Sequence, residues 1–293
     1  MKLGSLLTAM VTPFKPDGAL DAVQAARLAR HLVDIGNEGV VVAGTTGESP
    51  TLTDEEKLEL FRAVVSEVGG RATVVAGTGT NDTRHSVELT KEAEKLGVDA
   101  IMAVVPYYNR PPQEGLYEHF KAIAESTSLP VMLYNIPSRT GAGLAPETVA
   151  RLAEIDNVAA IKDSSGDLAY VSELRRRTPE DFLIYSGDDA LTLPILAVGG
   201  AGVVSVAGHL VGRRLRAMIE AFQKGDHRTA AAINMELWPI FKAMFVTTNP
   251  IPVKAAVNLM GLEAGPVRPP LREPTEEELN AIRTVLKESG LLS

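Results

Sequence analysis

The sequence predicts a closed (β/α)8 barrel, the TIM-barrel class of α/β fold, with a C-terminal helical extension. Eight short apolar runs alternate with amphipathic stretches along the chain. The runs are apolar on both faces, as strands are when helices cover a parallel sheet. The 293 residues suit a barrel of roughly 250 residues with helices added. A doubly wound open sheet is the alternative, but it more often has about five or six strands.

The runs span 6–11, 39–43, 73–77, 100–105, 131–134, 158–161, 182–185 and 202–206. Amphipathic stretches such as 21–35, 54–68 and 87–96 separate them. A helix end, a glycine and a strand recur at Ile35-Gly36, Leu96-Gly97 and Val198-Gly199. Glycine past a helix end accepts the left-handed turn that stops the helix. Thr53-Asp54-Glu55-Glu56 and Thr275-Glu276-Glu277-Glu278 read as capping boxes that open helices. After about Gly225 the chain is helical with Pro-rich connections (Pro250, Pro252, Pro266, Pro269, Pro270). The expected division is a catalytic barrel over 1–224 and a helical extension over 225–293 packed on it.

Composition narrows the function. Hydrophobic residues make up 45% of the chain, enough for a large core. The net charge of -8 argues against a nucleic-acid partner, which calls for a basic face. With no cysteines there are no disulfides, thiolate nucleophiles or Cys-based zinc sites. The N-terminus lacks a signal-peptide pattern, and no run approaches the roughly 18 apolar residues of a membrane span. A cytoplasmic protein away from membranes is the expectation. His31, His85, His119, His209 and His227 show no metal-ligand spacing, so neither a metal nor another cofactor is expected. Asn81-Asp82-Thr83 matches a glycosylation acceptor by accident.

Active sites of such barrels lie at the C-terminal ends of the strands. There the sequence places Thr45, Thr46 and Glu48; Tyr107, Tyr108 and Asn109; Tyr134, Asn135 and Arg139; Lys162 and Asp163; Ser186, Gly187 and Asp188; and Ser205. Lys162 ends an apolar strand, where desolvation disfavours the ammonium and a neutral amine can attack a carbonyl. A lysine at a strand end can equally reach solvent. The glycines around Thr45 and Thr46 let backbone N–H groups approach a carboxylate, or simply form a turn before a capped helix. Tyr108 and Tyr134 can carry protons or fill core and interface. Arg139 can grip a carboxylate in a bidentate fashion or stand in solvent. Gly199-Gly200-Ala201-Gly202 falls at the wrong end of a strand for phosphate binding.

Six segments, in order, resemble the signatures of the dihydrodipicolinate synthase family. They are Gly44-Thr45-Thr46-Gly47-Glu48-Ser49, Pro106-Tyr107-Tyr108-Asn109-Arg110-Pro111, Tyr134-Asn135-Ile136-Pro137-Ser138-Arg139-Thr140-Gly141, Ile161-Lys162-Asp163, Ser186-Gly187-Asp188-Asp189 and Asn249-Pro250-Ile251-Pro252-Val253-Lys254. The resemblance covers essentially the whole chain. It implies a Schiff base between Lys162 and pyruvate, whose enamine attacks L-aspartate-4-semialdehyde. Cyclisation then gives 4-hydroxy-tetrahydrodipicolinate, on the way to diaminopimelate and lysine. It further implies that Thr45, Tyr134 and Tyr108 relay protons, with the tyrosine matching Tyr108 supplied by a neighbouring subunit. Thr46 would hold the pyruvate carboxylate and Arg139 that of the semialdehyde. Gly187 and Val204 would bring backbone groups near the lysine. The implied assembly is a homotetramer, a dimer of dimers.

Asp163 departs from the glutamate that many of these synthases carry after the lysine, which leaves the aldehyde open. The rival readings are a pyruvate-dependent lyase for sialic acid or a 2-keto-3-deoxy sugar acid, and a catalytically silent keto-acid sensor. Lysine-inhibited members bind lysine in a subunit cleft near residues matching Asn81 and Tyr107. There they carry glutamate and histidine at the positions of His85 and Lys57. With those two changed, weak or absent lysine feedback is expected, unless Asp54 or Glu88 compensates.

Overall fold

A computed structural model of the chain describes residues 3–292. Its strands are β1 (Leu6–Ala9), β2 (Gly39–Val42), β3 (Thr73–Gly77), β4 (Ala100–Val104), β5 (Val131–Asn135), β6 (Val158–Asp163), β7 (Leu183–Ser186) and β8 (Gly202–Ser205). Their order in the sheet is their order in the chain, and the sheet closes as a barrel. Between them run α1 (Ala22–Asp34), α2 (Asp54–Val68), α3 (Thr83–Glu94), α4 (Gln113–Glu125), α5 (Pro137–Thr140), α6 (Pro146–Leu152), α7 (Leu168–Arg177) and α8 (Thr192–Ala197). After β8 come α9 (Gly208–Gln223), α10 (His227–Ala243), α11 (Ile251–Leu259) and α12 (Glu276–Glu288). No helix among the described residues is long and apolar enough to cross a membrane.

Contacts group the chain into two compact units, Met1–Val74 with Ser205–Ser293, and Val75–Val204. In the first, β1 pairs parallel to β2, with Thr8 opposite Val40. The Asp21 carboxylate caps α1 by accepting from the Gln24 N–H. The helix buries Ala25, Leu28, Ala29 and Leu32, a stripe at helical spacing, and packs on α2. It stops at Gly36, whose φ of 104° only glycine adopts freely. Both halves of the Thr53–Glu56 capping box form at the start of α2. α10 packs on α9, and α12 on α10 and α11, so the helices after Gly225 share this unit with β1 and β2.

In the second unit β4, β5, β6 and β7 pair in parallel register. Asp82 caps α3 by accepting from the His85 N–H, so the segment that matched a glycosylation acceptor is a helix start. β6 runs two residues past its apolar stretch, through Lys162 and Asp163. Pairing with β5 and β7 continues there, as Tyr134↔Lys162↔Tyr185 and Asn135↔Asp163↔Ser186. Backbone pairing, not side-chain polarity, therefore sets where this strand ends.

Candidate active site

Side chains alternate between the two faces of a strand, and register partners on adjacent parallel strands share a face. Lys162 thus faces the same way as Tyr134 and Tyr185, and Asp163 the opposite way with Asn135 and Ser186. Lys162 is 5% exposed, and its Nζ stands 4.1 Å from the centroid of the Tyr134 ring. Gly187 leaves room for the lysine stem: a Cβ there would come within 3.0 Å of Lys162 Cε and overlap Ser164 Oγ. The Gly187 N–H donates to the Asp163 carbonyl at 2.7 Å, fixing this close approach. Val204 lies on β8 two residues after Gly202, the partner of Tyr185, and so shares the face of Lys162. Lys162, Tyr134 and Gly187 are in one cluster, with Val204 on the same face of the sheet.

On the opposite face a polar network ties the strand ends to the loop carrying Arg139. Asn135 Nδ2 donates to Asp163 Oδ1 at 2.9 Å. The Leu144 N–H returns to Asn135 Oδ1 at 3.1 Å, closing the loop that contains α5. Ser165 donates to Asp163 Oδ2 through its hydroxyl at 2.6 Å and its N–H at 3.2 Å. Burial pushes the Asp163 carboxyl up, and the hydrogen bonds from Ser165 and Asn135 oppose the shift. The loop is also pinned by Tyr170, whose hydroxyl donates to the Leu144 carbonyl at 2.8 Å, and by Gln113 Nε2, which donates to the Gly143 carbonyl at 2.8 Å. Arg139 itself lies on α5 with its side chain exposed.

Tyr108 is set apart from the buried cluster. It is 90% exposed, with a φ of 71°. A left-handed bulky residue is strained, and a fully exposed aromatic ring forgoes the burial that usually accompanies it. Asn109 holds the turn, donating through Nδ2 to the Asn81 carbonyl at 2.8 Å.

In the first unit the loop after β2 carries Thr45 and Thr46. Thr45 is half-buried and Thr46 is 2% exposed. Thr46 Oγ1 accepts from Asn249 Nδ2 at 3.0 Å, leaving its hydroxyl hydrogen to donate elsewhere. Thr12 Oγ1 donates to the Gly47 carbonyl at 2.6 Å, and the Ser49 N–H reaches back to the Gly44 carbonyl at 3.2 Å. The turn is therefore tied down from both sides.

Sequence reasoning named Asn135, Glu48 and Asp163 as polar strand-end residues but gave them no structural partners. The signal available for Asn135 and Asp163 was alternation: each is one residue past a candidate, so each turns to the other face.

The Dihydrodipicolinate synthetase family model matches residues 2–289. The 4-hydroxy-tetrahydrodipicolinate synthase of Moorella thermoacetica is 60% identical over 292 residues, covering 100% of both chains. A crystal structure of a dihydrodipicolinate synthase from Bacillus anthracis superposes with a TM-score of 0.95 at 50% identity, covering 98% of each chain. A dihydrodipicolinate synthase from Cyanidioschyzon merolae, crystallised with lysine bound, does so with a TM-score of 0.97 at 48% identity, covering 99% of each. A match of this length and identity, on a closed barrel of eight parallel strands with the six motif segments in order, leaves one assignment: the chain belongs to the dihydrodipicolinate synthetase family of lyases.

Proposed function

We propose that the chain condenses pyruvate with L-aspartate-4-semialdehyde to give 4-hydroxy-tetrahydrodipicolinate, with Lys162 as the nucleophile. The observation that carries this reading is the Lys162 amine, buried at a strand end 4.1 Å from the Tyr134 ring centroid, with Gly187 making room for its stem. The amine adds to the keto carbon of pyruvate and water leaves, giving an iminium that draws electrons from the methyl group. A methyl proton departs and the enamine carbon bonds to the aldehyde carbon. The amino group of the semialdehyde then displaces Lys162 and closes the ring, freeing the lysine for another turnover. Thr45, Tyr134 and Tyr108 move the protons. Thr46 takes the pyruvate carboxylate, Arg139 that of the semialdehyde, and Gly187 and Val204 line the lysine with backbone.

The name carried by the Moorella thermoacetica relative supports this aldehyde. Asp163 fits it too: the aspartate faces away from Lys162, toward Asn135, so its departure from glutamate falls outside the lysine's face of the sheet. Tyr108, strained and exposed, suits a side chain that a second copy covers, in keeping with a homotetramer built from two dimers. A biosynthetic role and a chain without cysteine suit the cytoplasm. Turnover of pyruvate with a panel of aldehydes tests the proposal. L-aspartate-4-semialdehyde should be consumed fastest, and preference for a hydroxylated sugar aldehyde would overturn it.

A further inference from the structure

The motif Asn249-Pro250-Ile251-Pro252-Val253-Lys254 lies outside the strands, and the reaction as proposed gives it no part. It opens α11 in the first unit. Lys254 Nζ meets Glu48 Oε1 at 2.7 Å, with both side chains 1% exposed. The second carboxylate oxygen, Glu48 Oε2, accepts the backbone N–H of Arg268 at 2.8 Å. Both Lys254 Nζ and Arg268 Cζ stand 4.1 Å from the centroid of the Phe14 ring. Both oxygens of the Glu48 carboxylate thus have a partner, and its side chain is almost wholly buried.

A buried ion pair is by itself weak evidence of a stabilising role. Removing two charges from water offsets most of their attraction, and a buried pair is often no better than apolar side chains of the same size. Burial pushes the Lys254 ammonium down, and Glu48 counters that shift. The backbone adds a second cost. Ala43 and Glu48 both sit at φ 56°, left-handed values that non-glycine side chains resist. These two strained residues bracket Gly44-Thr45-Thr46-Gly47. Such strain persists only where surrounding structure over-determines it, and it gathers at sites that bind or react.

The α11 segment supplies that over-determination at two points of the loop. Asn249 donates to Thr46 and Lys254 holds Glu48, while the Glu48 N–H closes on the Thr45 carbonyl at 3.1 Å. We infer that Lys254, acting through Glu48, is a positioning residue for the keto-acid carboxylate: the buried pair holds the left-handed turn that aims the Thr45–Thr46 backbone and hydroxyls before substrate arrives. The inference rests on the proposal that this loop takes the pyruvate carboxylate. Pre-organised donors lose little on binding, so loosening them weakens affinity for the anion they serve and leaves the other substrate's binding alone.

The test compares Glu48→Gln, Lys254→Met and Lys254→Arg with the parent, each at a temperature where thermal melts show it folded. Two quantities are read: the pyruvate concentration giving half-maximal borohydride inactivation, and the KM for the semialdehyde. Glu48→Gln and Lys254→Met should raise the first by about tenfold or more and leave the second within about twofold, as expected for loss of binding to one substrate. Lys254→Arg keeps the cation and should recover much of the pyruvate affinity. If Lys254→Met does not fold, Glu48→Gln and Lys254→Arg give the same comparison. Lower melting temperatures with unchanged pyruvate dependence would overturn the inference and leave the pair a structural one. Thr46→Ala separates the two levels. If it weakens pyruvate capture and the Glu48 and Lys254 variants do not, only the positioning role fails. If Thr46→Ala also has no effect, the loop is not the carboxylate site and both readings fall.

Discussion

Asn135 and Asp163 meet at 2.9 Å on the face of the sheet opposite Tyr134 and Lys162. Each of these two strand ends thus turns one residue to the face of Lys162 and the next to a network that shapes the neighbouring loop. Because Asn135 also accepts the Leu144 N–H, the network governs the segment bearing Arg139.

Asp163→Ala should therefore loosen the Arg139 loop. Losing a buried acceptor of these hydrogen bonds costs about 1–3 kcal/mol of stability. The KM for the semialdehyde should rise while pyruvate trapping on Lys162 persists. Arg139→Ala should shift the same KM further, by about 1.5–3 kcal/mol for a lost charge-assisted pair. Steady-state kinetics with each substrate varied in turn check both. Equal effects on the two substrates would mean that Arg139 supports the loop without reading the aldehyde.

Stability should fall in mild acid. His209 is fully buried, its Nε2 accepting from the Val11 N–H at 3.1 Å while Nδ1 lies 2.8 Å from the Val206 carbonyl. Burial pushes its pKa down to about 4, and that of His119, also buried, to about 4. The unfolded chain binds these protons near pH 6.5, and the folded chain only near pH 4. Each histidine's contribution is therefore complete above about pH 6.5 and lost as pH falls toward 4, about 3 kcal/mol apiece. Urea melts from pH 7.5 down to 4.5 should show the decline. His119→Phe, which removes one titrating group, should make it shallower; an unchanged slope would contradict this account.

Tyr108 should matter more to turnover than to folding. At 90% exposure its ring contributes little to the fold of its own chain, so Tyr108→Phe should leave the melting temperature nearly unchanged and lower kcat strongly. Activity should also fall on dilution as subunits separate. Sedimentation run beside activity assays checks this, and a fully active monomer would contradict a shared site.

Lysine should inhibit weakly or not at all. Lys57 is 5% exposed and paired with Asp54 at 3.4 Å, so that carboxylate already has a cation to serve. The His85 backbone N–H is engaged by the cap of α3, and its imidazole offers a ligand ammonium no fixed negative charge. Lysine titration of the initial rate at saturating substrates should give no half-inhibition below millimolar concentration. Submillimolar inhibition would mean that another carboxylate, such as Glu88, has taken the role.

Much of this was legible in the sequence, for reasons that differ by residue. The strands could be read because each is apolar on both faces, and the barrel because eight such runs recur. Gly36, Gly97 and Gly199 marked helix ends, and all three have positive φ. The apolar run of β6 stopped at residue 161, and backbone pairing carries the strand through Lys162 and Asp163, the residues the sequence placed at its end. Lys162 could be singled out because a lysine after four apolar residues is chemically conspicuous. The clamp of Glu48 by Lys254 could not, since the two lie 206 residues apart and only the fold joins them. The strain at Tyr108 and Glu48 was equally hidden, because positive φ at a non-glycine residue leaves no compositional mark.

The central claim is that Lys162 forms the covalent bond to pyruvate, and reductive trapping tests it most directly. Incubation with pyruvate and borohydride, followed by mass spectrometry of the intact chain and its peptides, should show one pyruvate-derived mass per chain, located on Lys162. Lys162→Ala should take up none. Label found on another lysine, or persisting in Lys162→Ala, would contradict the account.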